Sequence, residues 1–268
     1  MNASALHLPT LPAPAARDAA PRLRCDWARD ASEVREAQRL RFRVFALELG
    51  ARLSPPAGTP YGLDADEFDP HCEHLLVREQ TEDGAPGPVV ACYRLLGASA
   101  ALRVGGFYAE TAFDLTRLRS HRNRIGELGR ACVAPEHRRG AAMLMMWGAI
   151  AQRMQQLGLD LLLGSASVPA LDGGSAAWAL WNRLAETQMA GIEWRVRPRL
   201  PLHPALAPRS ALVEPPAAPP LLRAYLNANA RILGAPAWDA DFRCADFPLL
   251  LPLQDLPASY RRRFLEAR

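Results

Sequence analysis

Lysine is absent from this chain: all 32 basic residues are arginine. A lysine nucleophile or lysine Schiff base is therefore excluded, and every cationic side chain is a planar, permanently charged fork suited to carboxylates and phosphates. With abundant Ala, Pro and Leu, the bias reads as the codon usage of a GC-rich genome. Cysteine is sparse and scattered. Cys25, Cys72, Cys92, Cys132 and Cys244 form no CxxC pair, which argues against a disulfide framework or a zinc site. No run of about 18 apolar residues occurs, so no bilayer-spanning helix is expected. The N-terminus lacks a basic start followed by a long apolar stretch, which argues against a signal peptide, and the chain reads as cytoplasmic. Neither a glycine-rich dinucleotide fingerprint nor a phosphate-loop motif is present.

What is present is an ordinary globular composition over 268 residues, 49% hydrophobic and 22% charged, which excludes a wholly disordered or collagen-like chain. The length is ample for a packed core. Residues 1–21, proline- and alanine-rich without periodicity, read as a disordered tail. Leu23 to Trp27 reads as a strand. Asp30 and Glu33 have capping-box spacing before a stripe of Val34, Leu40, Val44, Phe45 and Leu47, so a helix is expected from Asp30 towards Gly50. Residues 51–73 form a Pro-, Gly- and Asp-rich loop of a length that is often functional. Strands are expected over 74–77, 89–96, 125–133, 159–167 and 192–197, with helices over 141–157 and 175–189. Prolines crowd the stretch from Pro198 to Pro220, which reads as a wandering segment or flap. A helix over 221–233, a strand over 247–253 and a basic end at Arg261 to Arg263 follow. The order is mixed α/β, not the strict alternation of a doubly wound sheet. It suggests one domain over 22–200, with 201–268 packed on it as an extension.

Four clusters carry chemistry. In Arg41-Phe42-Arg43-Val44-Phe45, Arg41 and Phe45 lie one helical turn apart and can line one pocket, or be a surface arginine beside a core ring. Asp64, Asp66, Glu67 and Asp69 put four carboxylates in six residues. They suit an ammonium group, or a solvated acidic loop, and lack the spacing of a calcium loop. His71, Cys72 and His74 have no second ligand cluster, so no metal is expected. Glu127-Leu128-Gly129-Arg130 lies on an expected strand, where alternation sends Glu127 and Arg130 to opposite faces. A bulge, made plausible by Gly126 and Gly129, would bring both to one site; the alternative is an ion pair with Arg94 or Asp69. Finally, the stretch from Val133 through Arg138, Arg139 and Gly140 runs from a strand end into a helix N-terminus, an arrangement that offers N–H groups to a phosphate.

A strand followed by V-x-P-x-x-R-x-G-x-A and a helix resembles the pyrophosphate loop of the Gcn5-related N-acetyltransferase (GNAT) fold, one residue short of its usual spacing. The wider pattern is Arg41-x-Arg43-Val44-Phe45, Asp66-x-x-Asp69, Tyr93-Arg94-Leu95-Leu96 and Glu127-Leu128-Gly129-Arg130. It resembles the branch of acyl-carrier-protein-dependent acyltransferases that includes the acyl-homoserine-lactone synthases and the L-ornithine Nα-acyltransferases. The stretches 68–77, 106–108, 113–115, 164–167 and 220–226 are similar to the ornithine-lipid subgroup. The lactone synthases usually carry a tryptophan after the first helix, where this chain has Ala51.

The resemblance implies an α/β, GNAT-like mixed β-sheet flanked by helices. It implies transfer of a 3-hydroxyacyl group from acyl carrier protein to the α-amine of L-ornithine, giving lyso-ornithine lipid without a covalent acyl-enzyme. Glu127 is then the base, with Arg130 beside it. Arg43 or Arg94 clamps the substrate carboxylate, Asp66 or Asp69 holds the side-chain ammonium, and Arg41 and Phe45 line the pocket. Val133, Arg138, Arg139 and Gly140 receive the phosphopantetheine arm, which is a co-substrate; no separate cofactor is expected. Arg117, Arg119, Arg122 and Arg124 face the acidic carrier protein. The inner membrane surface is a further expected contact, and nucleic acid is not, given the net charge of +4 and the lack of a binding motif. The alternatives are an acyltransferase for another amino acid, an autoinducer synthase, or a carrier-binding protein without catalysis. In a rival reading of the residues, Asp69, Arg94, Glu127 and Arg130 form an ion network that shapes the cleft.

Overall fold

Asp30 starts the first helix through its own side chain. In a computed structural model, which describes residues 22–81, 83–138, 140–203 and 217–265, helix α1 spans Ala31–Arg41. Asp30 is extended, and its Oδ1 accepts from the N–H groups of Ser32 (2.8 Å) and Glu33 (3.0 Å), which the helix itself leaves unpaired. Glu33 reaches back to the N–H of Arg29 at 2.7 Å, one residue before the usual capping-box partner. Beyond Arg41 the helix widens into a π-helical turn, Phe42–Glu48. The wider turn shifts later residues off the 3.6-residue stripe. Val44 and Phe45 remain buried, but Leu47, expected on the same stripe, is 65% exposed.

The strands are β1 (Leu23–Trp27), β2 (Glu73–Gln80), β3 (Pro86–Gly97), β4 (Phe113–Asp114), β5 (Ile125–Val133), β6 (Leu161–Pro169), β7 (Arg197–Pro198), β8 (Arg231–Ile232), β9 (Ala237–Asp239) and β10 (Cys244–Pro252). The main sheet runs β1-β2-β3-β5-β6-β10-β8, with β9 also on β10. All its pairs are antiparallel except β5 and β6. The fold is thus a mixed sheet flanked by helices, as expected. Alternation along β2 sends Leu75 and Val77 to a core shared with α3 (Ala141–Gln156), α4 (Ser175–Thr187) and α5 (Pro220–Asn227), while Leu76 packs with α1 on the other face. Helix α2 (Ala98–Val104), without a clear sequence signal, covers a second part of that other face. Helix α6 (Ala258–Phe264) inserts Phe264 into the first core.

Two expected elements differ. Residues 192–197 form a 3-10 turn, Ile192–Trp194, and only β7 is extended, paired to β4. The helix expected over 221–233 stops at Asn227; Asn229 turns the chain with φ 71°, and β8 then pairs with β10. The C-terminal extension is integral to the sheet, because β10 pairs with β6 along nine residues. The expected N-terminal tail and residues 204–216 of the proline-rich stretch lie outside the described residues. Among the described residues, no helix is long and apolar enough to cross a membrane.

Two irregularities of β5 position the site. Its parallel pairing with β6 runs from Ile125↔Leu161 to Leu128↔Gly164 and stops. Beyond that point β6 stays with β10 and β5 stays with β3, so the two strands part and leave a wedge. On its other edge β5 carries a bulge. Cys92 faces Cys132 and Arg94 faces Gly129, so two steps on β3 oppose three on β5. Arg130 supplies the extra residue, in the left-handed region at φ 55°. The bulge that Gly126 and Gly129 suggested is present, centred on Arg130.

The capping geometry predicts a modest stability loss on removing Asp30. Asp30→Ala should destabilise by about 1 kcal/mol, read as a lower urea midpoint at unchanged slope.

Candidate active site

The wedge holds a cavity of about 360 Å³. Glu127 to Ala131 of β5 and Ser165, Ser167 and Pro169 of β6 form its two walls. Phe45, Tyr93, Tyr108, Asp239, Phe242, Arg243 and Asp246 close its sides. Because Arg130 is the bulged residue, it lines the same cavity as Glu127 despite the odd spacing. A more open depression, containing Gly50, Arg52 and Trp238, adjoins through Leu171 and Arg243.

Glu127 is buried, with 5% of its surface exposed. Its Oε2 accepts the N–H of Tyr108 and its Oε1 that of Ala109, each at 2.6 Å. These donors begin the 3-10 turn Tyr108–Thr111. Burial dominates the carboxyl's titration and pushes its pKa up to about 7, against the two N–H bonds and the Arg94 charge, which favour the ionised form. Glu127 can therefore exchange a proton near neutrality.

Behind this carboxyl lies a buried ionic cluster of three arginines and three aspartates. Arg41 pairs with Asp69 (2.6 Å) and with Asp64 (2.7 Å), and also donates to the Asp64 carbonyl. Arg94 bridges Asp66 (2.6 Å) and Asp69 (2.7 Å) through one nitrogen. Arg130 reaches Asp66 at 3.1 Å and Asp64 at 3.3 Å. Gln38 donates to Asp69 at 2.8 Å, and the His74 ring contacts the Asp69 carbonyl at 3.0 Å. Burial alone would raise the Asp69 pKa; the Arg41 charge and hydrogen bonds, then Arg94, reverse this and hold it well below the usual carboxylate range. Burial would likewise lower the Arg94 pKa, but Asp66 and Asp69 raise it, so the guanidinium stays charged. Burial pushes the His74 pKa down, and it remains neutral. The Arg130 guanidinium lies over the rings of Tyr108 (5.1 Å) and Phe242 (5.7 Å), and Arg94 over that of Tyr108 (5.5 Å).

The structure thus joins Arg41, Asp66, Asp69, Arg94 and Arg130 in one cluster, and Phe45, Glu127 and Arg130 in one cavity. Arg43 is exposed and does not line the cavity, since two residues along a helical turn reverses the direction of the side chain. Arg138 is not turned outward to a phosphate: it donates to the Val133 carbonyl and holds Glu48 in a two-pronged pair at 2.6 and 2.7 Å. Gly140, at φ 97°, leads into α3 with no side-chain cap. Arg139 lies outside the described residues. Of the arginines in the 3-10 helix Thr116–Arg124, Arg122 pairs with Glu110 and Arg124 with Asp160. Arg117 and Arg119 are exposed and make no ion pair among the described residues.

Several site residues were not singled out by the sequence. Asp64 stood in the acidic run, but nothing marked it as a partner for Arg41. Tyr108 offered only its place in Gly106-Phe107-Tyr108. Asp239 and Asp246 come from the C-terminal extension. Asp246 accepts from the Ser167 hydroxyl at 2.6 Å, and burial raises its pKa. Neither aspartate pairs with an arginine among the described residues.

The cluster makes stability acid-sensitive in a defined direction. With the folded pKa of Asp69 depressed, its contribution is complete above the unfolded carboxylate value and is lost as pH falls below about 4. Asp69→Asn should cost about 3–5 kcal/mol at neutral pH, because two buried arginines lose a shared partner. Urea unfolding between pH 3 and pH 7 should show a shallower acid decline in the variant.

Residues 40–148 match a family described as an acetyltransferase (GNAT) domain. The chain is 38% identical over 243 residues to the L-ornithine N(alpha)-acyltransferase of Rhodobacter capsulatus, covering 87% of this chain and 91% of that one. It is 33% identical to the enzyme of the same name from Rhizobium meliloti, covering 87% and 81%. Among solved structures, the acyl-homoserine-lactone synthase LasI aligns with a TM-score of 0.50 at 14% identity, over 92% of this chain and 96% of that one. FeeM, an N-acyl amino acid synthase from uncultured soil microbes, aligns at 0.51 and 9% identity over the same shares. At such identities these two bear on the fold alone. With the wedge, the bulge and the buried carboxyl in place, and with relatives this similar over nearly their whole length, the chain belongs to the L-ornithine Nα-acyltransferase family and is a GNAT-fold acyltransferase.

Proposed function

We propose that this enzyme transfers a 3-hydroxyacyl group from an acyl carrier protein thioester to the α-amine of L-ornithine, giving lyso-ornithine lipid. The observation that carries the reading is Glu127, a buried carboxyl with a pKa near neutrality, facing a cavity at the break between β5 and β6. An amine attacks a thioester only after losing its proton. Glu127, directly or through a water, takes that proton. The nitrogen then bonds to the carbonyl carbon, the C–S bond breaks, and the proton passes to the departing thiolate. Backbone N–H groups on the free edge of β5 beyond Leu128 suit the developing oxyanion.

Ornithine also brings a carboxylate and a second ammonium. Asp66 and Asp69 are occupied by Arg94, Arg41 and Arg130, which supports a cleft-shaping role for them. Asp239 and Asp246, cavity carboxylates without an arginine partner among the described residues, suit the side-chain ammonium, and Arg130 or Arg243 suits the carboxylate. The carrier thioester is the preferred donor because a carrier protein has no nucleotide pyrophosphate. The loop from Val133 to Gly140 supports this: it is short, and Arg138 is committed to Glu48. Arg117 and Arg119 then steer the acidic carrier.

The test is incubation of purified protein with 3-hydroxyacyl carrier protein and a panel of amino acids, followed by mass detection of the products. N-acylornithine should dominate, and equal or better transfer to another amino acid would overturn the substrate assignment. The ionised form of Glu127 is the active one, so kcat/KM should rise with pH and reach half its plateau at about 7. Glu127→Gln should lose about two to four orders of magnitude in kcat. A folded variant with normal turnover would remove Glu127 from the role of base.

Steering by Arg117 and Arg119 has a separate signature. Replacing both with glutamine should raise KM for the carrier and flatten its salt dependence while leaving kcat nearly unchanged, since exposed charges are screened over about 8 Å at physiological salt. Rates measured across a salt series, with an unchanged KM, would leave these residues without that role.

A further inference from the structure

Tyr93 and Tyr225 bring two phenol hydroxyls together at the vertex of the wedge. Tyr93, on β3 opposite the bulge, lines the cavity and is 3% exposed. Its hydroxyl meets that of Tyr225, on α5, at 2.9 Å. Tyr225 is fully buried, and its hydroxyl lies 3.1 Å from where a Cβ on Gly164 would stand. Gly164 is the last β6 residue paired with β5, so the phenol pair sits where the strands part. A side chain at this position would fill that space.

The polar atoms here are incompletely paired. Two phenols carry two hydrogens, and the bond between them uses one. Beside them the Trp147 ring tilts against that of Tyr225, with centroids 5.0 Å apart. Trp147 is itself more than nine-tenths buried, and its indole N–H has no partner among the described residues. Trp147 borders a small apolar void together with Leu128, which also lines the cavity. A polar spot with spare donors therefore stands between the reaction cavity and an otherwise apolar interior. Buried donors of this kind call for an acceptor.

We propose that the Tyr93–Tyr225 pair recognises the 3-hydroxyl of the acyl chain and makes the enzyme select hydroxylated over unsubstituted acyl donors. The inference rests on the proposed transfer from a 3-hydroxyacyl thioester. With the reacting carbonyl held at the strand break, C3 follows two bonds further along the chain, towards the apolar side. Its hydroxyl accepts the spare phenol hydrogen and donates to a phenol oxygen. An unsubstituted chain at the same position offers neither partner. A site built around a substrate hydroxyl rejects an analogue without it far more strongly than an apolar pocket rejects a change of size. The two tyrosines are specificity residues and take no part in the proton transfers.

The double variant Tyr93→Phe/Tyr225→Phe tests this. It removes both hydroxyls while keeping the ring shapes, a change that is nearly neutral for stability. Initial rates are measured with ornithine and with 3-hydroxyacyl and unsubstituted acyl carrier proteins of equal chain length. The wild type should prefer the hydroxylated donor by about tenfold or more in kcat/KM, and the double variant should lose that preference, the ratio of the two kcat/KM values falling towards one. Tyr225→Phe alone should shift the preference in the same direction, which keeps the test available if the double variant folds poorly. A wild type without preference, or variants that keep it on an enzyme active with ornithine, overturns the inference alone. A wild type that makes N-acylornithine from neither donor overturns the transfer on which it rests, and the inference with it.

Discussion

The compensation of charge among Arg41, Arg94, Arg130 and Asp64, Asp66, Asp69 governs how the site is held. Three guanidinium groups and three carboxylates are withdrawn from water together with no net charge. Each ion alone would carry a desolvation cost of several kcal/mol; geometry repays it only when every ion finds partners at once. The cluster ties four separate elements: α1 through Arg41, the long acidic loop through its aspartates, β3 through Arg94, and the bulge of β5 through Arg130. A chain whose only strong cations are arginines suits this arrangement. A planar fork can bridge two carboxylates, as Arg41 does with Asp64 and Asp69.

That framework separates two kinds of carboxylate. Asp64, Asp66 and Asp69 of the acidic loop are engaged by arginines and act as walls. Glu127 has no ion pair among the described residues; backbone N–H groups hold it, and burial keeps its proton affinity high. The difference follows from the strand. Regular alternation puts Glu127 and Arg130 on opposite faces, and the single extra residue at the bulge restores Arg130 to the cavity. The end of the β5–β6 ladder then opens the space between them. One inserted residue and one interrupted ladder turn an ordinary sheet into a cavity that Glu127 and Arg130 both line.

Local signals in the sequence determined much of this protein. The Asp30 cap, the strands Leu23–Trp27 and Ile125–Val133, the helix from Ala141 and the apolar strand before Pro169 all follow from capping, alternation and run length, which act over a few residues. The order of short motifs was enough to recognise the family. Only the tertiary structure decided which charges meet. It consumed Asp66 and Asp69 in arginine pairs, left Arg43 exposed, and turned Arg138 towards Glu48, 90 residues away. It exposed Leu47 through a π-turn that periodicity cannot signal. It made β10 an interior strand, so that Asp246 faces the same cavity as Glu127. Tyr93 and Tyr225, 132 residues apart, meet for the same reason. Such pairings depend on sheet order, on the register of each ladder and on where a ladder ends, and no window of neighbouring residues contains that information.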